Sequence, residues 1–283
     1  MSVLAVSIVI TLLVLSVGAW GRLILSAGAQ PLRETGRQLL VEPPADSLNE
    51  RLMLVVFITV AVWLFVPAFL VGYSEQLAVR FGMNGLAVWP VVLNCISSTT
   101  LLLIAGPLSW LVLRNKPAPD AVWTTTTPLR MVRRIQSNAK AGVVAFVYAV
   151  LPVALVLLAT HAIRTRDAQH SLLKLLTNHP GSATVAWVVL SAVILAPLVE
   201  ELVFRVLLQG WLQTYLRPTL AIGVVALGFS AVHGWRDMMP LIPLATVLGV
   251  LFYVTRSYIA VVVTHSLFNA TNVVLAVLSA DSV

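Results

Sequence analysis

Eight apolar runs, most of them as long as the roughly 20 residues a membrane-spanning helix needs, leave this chain little choice of architecture. They fall at about 3–20, 52–73, 86–114, 143–161, 185–216, 219–235, 239–255 and 257–279 of the 283 residues. Lipid offers backbone N–H and C=O groups no partners, so such runs pair their backbone internally, as helices. Apolar residues make up 59% of the chain, charged residues 10%, and the mean hydropathy is +0.95. Soluble domains carry roughly 25% charge, so the fold class expected here is all-α, a polytopic transmembrane helical bundle of about eight spans.

The third and fifth runs exceed what a bilayer needs, which predicts tilt, kinks or projection beyond the lipid. Pro67, Pro90, Pro107 and Pro197 lie inside runs and are candidate kinks. Trp20, Trp110, Trp187, Trp211 and Trp235 fall near run ends, where interfacial aromatics collect. Ala27-Gly28-Ala29 resembles a signal cleavage site, but the first run is long and no positive residue precedes it, so it reads as a retained helix. Residues 161–183 are polar enough for a loop, with Ser171–Leu176 able to lie as a short interfacial helix and His161, His170 and His179 solvated. Thr124–Thr127 reads as loop, and Cys95, in an apolar run, as a packing residue.

The net charge of +7 points to orientation rather than to nucleic acid. Lys and Arg concentrate in the 1–2 loop (Arg22, Arg33, Arg37, Arg51), the 3–4 loop (Arg114 to Lys140), and at Arg217 and Arg256. The positive-inside tendency puts that set in the cytoplasm and both termini outside. The basic 3–4 loop would also attract anionic lipid headgroups.

Against this background, Glu200, Glu201 and Arg205 stand inside a span. Each such charge opposes insertion by roughly 2.5–3.5 kcal/mol, and the cluster is tolerated only facing protein or water. Residues four apart share a helix face, so Arg205 pairs with Glu201 as a structural brace. That leaves Glu200 the unpaired carboxylate, and low dielectric tunes an unpaired carboxyl toward general-base work. His233 follows in the sixth run, with Ala226, Ser230 and Gly234 as small residues permitting close helix approach. His265 and Asn269 share a face of the eighth. At about 1.5 Å per residue, Glu200, His233 and His265 come to one layer, nearer the cytoplasm. Phe229 reads as core or pocket wall.

In that order, Glu200-Glu201-x-x-x-Arg205, Phe229-x-x-x-His233 and His265-x-x-x-Asn269 resemble the signature of the CPBP intramembrane proteases, which include the CAAX prenyl endopeptidases and bacterial proteins of bacteriocin processing or immunity. Gly249–Ser257 is similar to the run that precedes the family's last motif, whereas Val206 stands where the family commonly has glycine. The resemblance covers about 185–278. It implies that Glu200 activates the attacking water with His233 assisting, that His265 and Asn269 stabilise the oxyanion or help bind a metal, and that Glu201 and Arg205 hold the site together. It further implies a peptide or protein substrate, lipidated in some members, and a bacterial cytoplasmic or endoplasmic reticulum membrane.

Zinc is compatible with Glu200, His233 and His265 as ligands, and general-base chemistry with none. The chain divides into 1–142, N-terminal helices without an assigned role, and 143–283, the protease-like core with the active-site helices. A proton-coupled transporter built on the Glu/His cluster and a catalytically silent scaffold or immunity protein are the other classes the residues allow. A transporter's paired repeats are not visible in the sequence.

Overall fold

In the computed structural model the apolar runs are helices and no strand occurs among the described residues, which are 2–26, 30–40, 50–82, 87–113, 128–161, 175–176, 178 and 181–280. Ala27-Gly28-Ala29, Thr124–Thr127, His170, His179 and all of Ser171–Leu176 except Leu175 and Leu176 lie outside them. In chain order the helices are α1 (Val3–Leu25), α2 (Gln30–Leu39), α3 (Glu50–Gly72), α4 (Ser74–Arg80), α5 (Trp89–Leu113), α6 (Pro128–Ala159), α7 (Ser182–Leu212), α8 (Pro218–Ala231), α9 (Trp235–Thr255) and α10 (Tyr258–Ala280). Seven of these, α1, α3, α5, α6, α7, α9 and α10, are long and apolar enough to cross a membrane. The protein is therefore an integral multi-pass membrane protein.

Two boundaries and one expected kink differ from the hydropathy reading, each for a physical reason. The sixth run does not continue to 235: α8 stops at Ala231, and Gly234 takes φ +90° before α9 begins. A left-handed backbone cannot continue a helix, and glycine adopts it at no steric cost. At 14 residues α8 is roughly 21 Å long, short of the bilayer core of about 30 Å. Gly234 is thus a hinge between helices, not the third small residue of a packing face. The fourth helix starts at Pro128 rather than near 143. Proline at a first helical position forfeits no hydrogen bond, and the basic residues that follow are good helix formers that a hydropathy reading passes over. Pro90 is likewise in the first turn of α5, not a kink.

Pro152, inside α6, is the more consequential proline. It has no N–H to give the carbonyl of Tyr148, four residues back. The indole of Trp20 fills that place, donating to Tyr148 O at 3.0 Å, and the Leu151 N–H donates to the buried Ser16 hydroxyl at 3.0 Å. The rings of Trp20 and Tyr148 meet edge to face, centroids 5.4 Å apart. Helix α1 is thereby keyed to α6 at Pro152, and the polar edge of Trp20 is turned into the protein.

On its other side α6 lies hard against α10. A Cβ at Gly142 would sit 2.5 Å from Ala260 O and 2.9 Å from Val263 Cβ. The Thr264 hydroxyl is 2.9 Å from both the Gly142 and the Ala260 carbonyls. Contact this close needs glycine, because any side chain at 142 would push α10 away. The residue after Thr264 is His265, so the α1–α6 pair fixes a wall of the polar cluster described next.

Candidate functional site

Helix α7 is not α-helical throughout. Its register changes from α (Ser182–Val188) to π (Val189–Leu195), back to α (Ala196–Glu201), to π again (Leu202–Gln209), and ends as α (Gly210–Leu212). Wide turns of this kind recur at functional sites, and here they bracket the two glutamates. In the first π segment the Ala196 N–H bonds Ser191 O, five residues back. The next bond in that register would run from residue 197 to Ala192 O, but residue 197 is proline and has no N–H. The amide of Asn269 on α10 takes the orphaned carbonyl instead, Nδ2 to Ala192 O 2.8 Å. Tyr258, at the start of α10, adds a second tie, its hydroxyl donating to Leu198 O at 2.5 Å.

Between these ties lies the charged cluster. Glu201 is fully buried and uses both oxygens: Oε2 accepts from Arg205 Nε at 3.0 Å and Oε1 from His265 Nδ1 at 2.8 Å. The i,i+4 pairing of Glu201 with Arg205 forms as its spacing requires. The histidine as third member has no counterpart in the spacing, because it comes from a different helix 64 residues on. Phe229, completely buried on α8, fills the space among them. Its ring centroid is 5.2 Å from that of Phe204, 4.8 Å from His233, 5.6 Å from His265 and 5.3 Å from Arg205 Cζ. Val206, where glycine is usual in the resembled family, packs against the core on both sides of α7.

Glu200 faces the other way, toward the accessible edge. Its Oε2 is 3.7 Å from His233 Nε2 and 3.9 Å from His265 Nε2, and it has no hydrogen-bond partner among the described residues. The side chains of Glu200 and His233 are 14% and 20% exposed, that of His265 only 4%. His233 is not on a helix face; it stands in the turn after α8, with Nδ1 2.7 Å from Phe229 O. A carbonyl and a carboxylate can only accept, so each imidazole carries its hydrogen on Nδ1 and turns Nε2 toward Glu200.

Structure thus brings Glu200, His233 and His265 into direct proximity. Glu201, Arg205 and Phe229 form the layer behind them, and Asn269 sits one turn along α10 from His265. His161, exposed at the end of α6, is elsewhere. Glu200, His233 and His265 have the donor chemistry of a zinc site. Among the described residues, however, no group of three or more His, Cys, Asp or Glu side chains is arranged to hold a metal ion. Tyr258 and Gln209 are members of this region that the motif reading passed over. Gln209 continues the four-residue spacing of Glu201 and Arg205, a signal present in the sequence. Tyr258 had none.

Residues 182–271 match a family model described as Rce1-like, type II CAAX prenyl endopeptidase Rce1-like. No curated protein and no solved structure matches the chain. The matched segment spans α7 to α10 and contains every residue of the cluster, which supports the resemblance to the CPBP proteases. At family level it supports a CAAX-protease-like intramembrane endopeptidase acting on a peptide or protein.

Proposed function

We propose that this Rce1-like membrane protein cleaves a peptide bond with a water activated by Glu200. The observation that carries the reading is a buried carboxylate oxygen without a hydrogen-bond partner among the described residues, with two imidazole Nε2 atoms at 3.7 and 3.9 Å, on a side chain that is 14% exposed. Glu200 takes a proton from the water as it attacks the carbonyl carbon. His233, anchored through Nδ1 to Phe229 O, takes that proton from Glu200 at Nε2 and passes it to the leaving amine as the C–N bond breaks, which returns Glu200 to the carboxylate. His265 has its Nδ1 hydrogen committed to Glu201, which fixes the ring with Nε2 facing the place where the oxyanion develops. Asn269 spends one amide hydrogen on Ala192 and has a second to offer the same oxyanion. The carboxylate activates the water in this scheme without a metal ion.

A substrate carrying a lipid would reach the site from the bilayer, as the apolar surroundings allow. The charge bias of the loops turns the opening toward the cytoplasm. A cysteine placed at the exposed Ala231, next to the site, reads this: an impermeant thiol reagent should label it from the cytoplasmic face of vesicles, and labelling only from the other face inverts the topology.

The test of the chemistry is purified protein incubated with peptide libraries, lipidated and unmodified. Glu200→Gln and His233→Ala should each lower cleavage by about 10²–10⁴-fold, the usual contribution of a positioned base. Cleavage unchanged by both substitutions sinks the assignment. Proton flux into liposomes abolished by the same two changes would instead favour a transporter.

A further inference from the structure

Behind the proposed site a second line of polar groups runs down α7. Glu201, Arg205, Gln209 and Gln213 follow one another at four-residue intervals, and the first three are completely buried. Arg205 gives Nε to Glu201, yet Nη1 and Nη2 have no partner among the described residues. Gln209 gives Nε2 to Gly249 O at 2.9 Å, and its Oε1 has none. Gln213 accepts at Oε1 from the exposed Arg256 at 2.8 Å, while its buried Nε2 is unsatisfied.

The unsatisfied atoms are complementary: donors on Arg205, an acceptor on Gln209, a donor on Gln213. They stand on successive turns, where side chains are neighbours, and no hydrogen bond joins them. Buried polar groups in this situation are satisfied by internal water, which needs two to four polar partners. Gly249 makes room for the line, since a Cβ there would come within 3.2 Å of Gln209 Oε1 and 2.7 Å of Ile222 Cγ2.

We infer that Arg205, Gln209 and Gln213 bind a file of internal water molecules that leads from the Arg256 end of α7 to the buried carboxylate Glu201. On the hydrolase reading, on which this role rests, the file brings water to the buried layer behind Glu200, at a site that consumes one molecule per bond cleaved.

X-ray radiolytic labelling in ¹⁸O water tests the file without requiring activity, because water bound inside a protein oxidises the side chains beside it. Ile222, 4% exposed and adjacent to Gln209, should take up label in the folded protein, with the 38% exposed Tyr215 as the dose control. In Gln209→Leu the label at Ile222 should be lost; in Gln209→Glu, which keeps the acceptor, it should persist. An unlabelled Ile222 in the wild-type protein overturns the inference, whether or not the variants fold. Label retained in a folded Gln209→Leu overturns it as well. Peptide cleavage measured in parallel separates the two ideas: label without cleavage keeps the water file and removes the hydrolase, and cleavage without label does the reverse.

Discussion

His265 Nδ1 lies 2.8 Å from Glu201 Oε1, so the second glutamate of the pair is a fixed point for a histidine as well as a counter-ion for Arg205. One fully buried carboxylate holds two groups from two helices, and neither has another acceptor among the described residues. Removing it strands a buried guanidinium. Glu201→Ala is therefore expected to cost about 3–5 kcal/mol, the usual penalty for breaking a buried pair from one side. Denaturant unfolding in detergent measures this, and a loss below about 1 kcal/mol would mean that solvent screens the cluster as it screens a surface pair.

Asn269 has two duties on this reading, and substitution separates them. Asn269→Ala leaves the Ala192 carbonyl without a donor at a position where Pro197 supplies none, which should cost about 1–3 kcal/mol of stability. Asn269→Asp cannot donate to Ala192 and should lose at least as much. If Asn269→Ala unfolds at the wild-type denaturant concentration, the tie across the π segment has no structural weight.

The α6–α10 contact predicts intolerance at a residue remote from the chemistry. Gly142→Ala puts a methyl group against the Ala260 carbonyl and Val263, and overpacking of this kind costs about 1–3 kcal/mol. Because Thr264 and His265 ride on the displaced helix, cleavage should fall with stability. Wild-type stability and turnover in this variant would show that α6 and α10 can separate freely.

Helix α1 gains a measurable role from Pro152. Ser16→Ala removes the acceptor for the Leu151 N–H and Trp20→Phe the donor for Tyr148 O. Each should cost about 1–3 kcal/mol. In a Pro152→Ala background the Tyr148 carbonyl recovers its helical partner, so the Trp20→Phe penalty should shrink. An equal penalty in both backgrounds would assign Trp20 to packing alone.

Metal dependence has a direct readout. With Glu200 as the base, cleavage should survive exhaustive chelation. Activity lost on chelation and restored by zinc would make Glu200, His233 and His265 ligands and replace the mechanism proposed above.

The helical, membrane-spanning character of this chain was legible from its runs of Leu, Val and Ile, because lipid leaves the backbone no other way to pair. The Glu201–Arg205 pair was legible too, since both partners lie on one helix four residues apart. Glu200, His233 and His265 stood out because an ionisable group in an apolar run is costly enough to need a reason. Other features were closed to a one-dimensional reading. His233 stands in a turn because Gly234 takes a left-handed backbone, and hydropathy carries no dihedral angle. The π register of α7 is set by its neighbours: Pro197 vacates a carbonyl, but only a helix docked 77 residues later can bring Asn269 to it.

What the sequence determined by itself is therefore the local part: which segments enter the membrane, which charges are too expensive to lack a partner, and which pairs lie within one turn. The tertiary structure decided the assignments between helices, giving Glu201 to both Arg205 and His265 and turning Glu200 toward the two Nε2 atoms. The physical reason is range. Helix propensity and hydropathy act over a few residues, whereas a hydrogen bond between α7 and α10 depends on close packing that brings distant segments to within 3 Å.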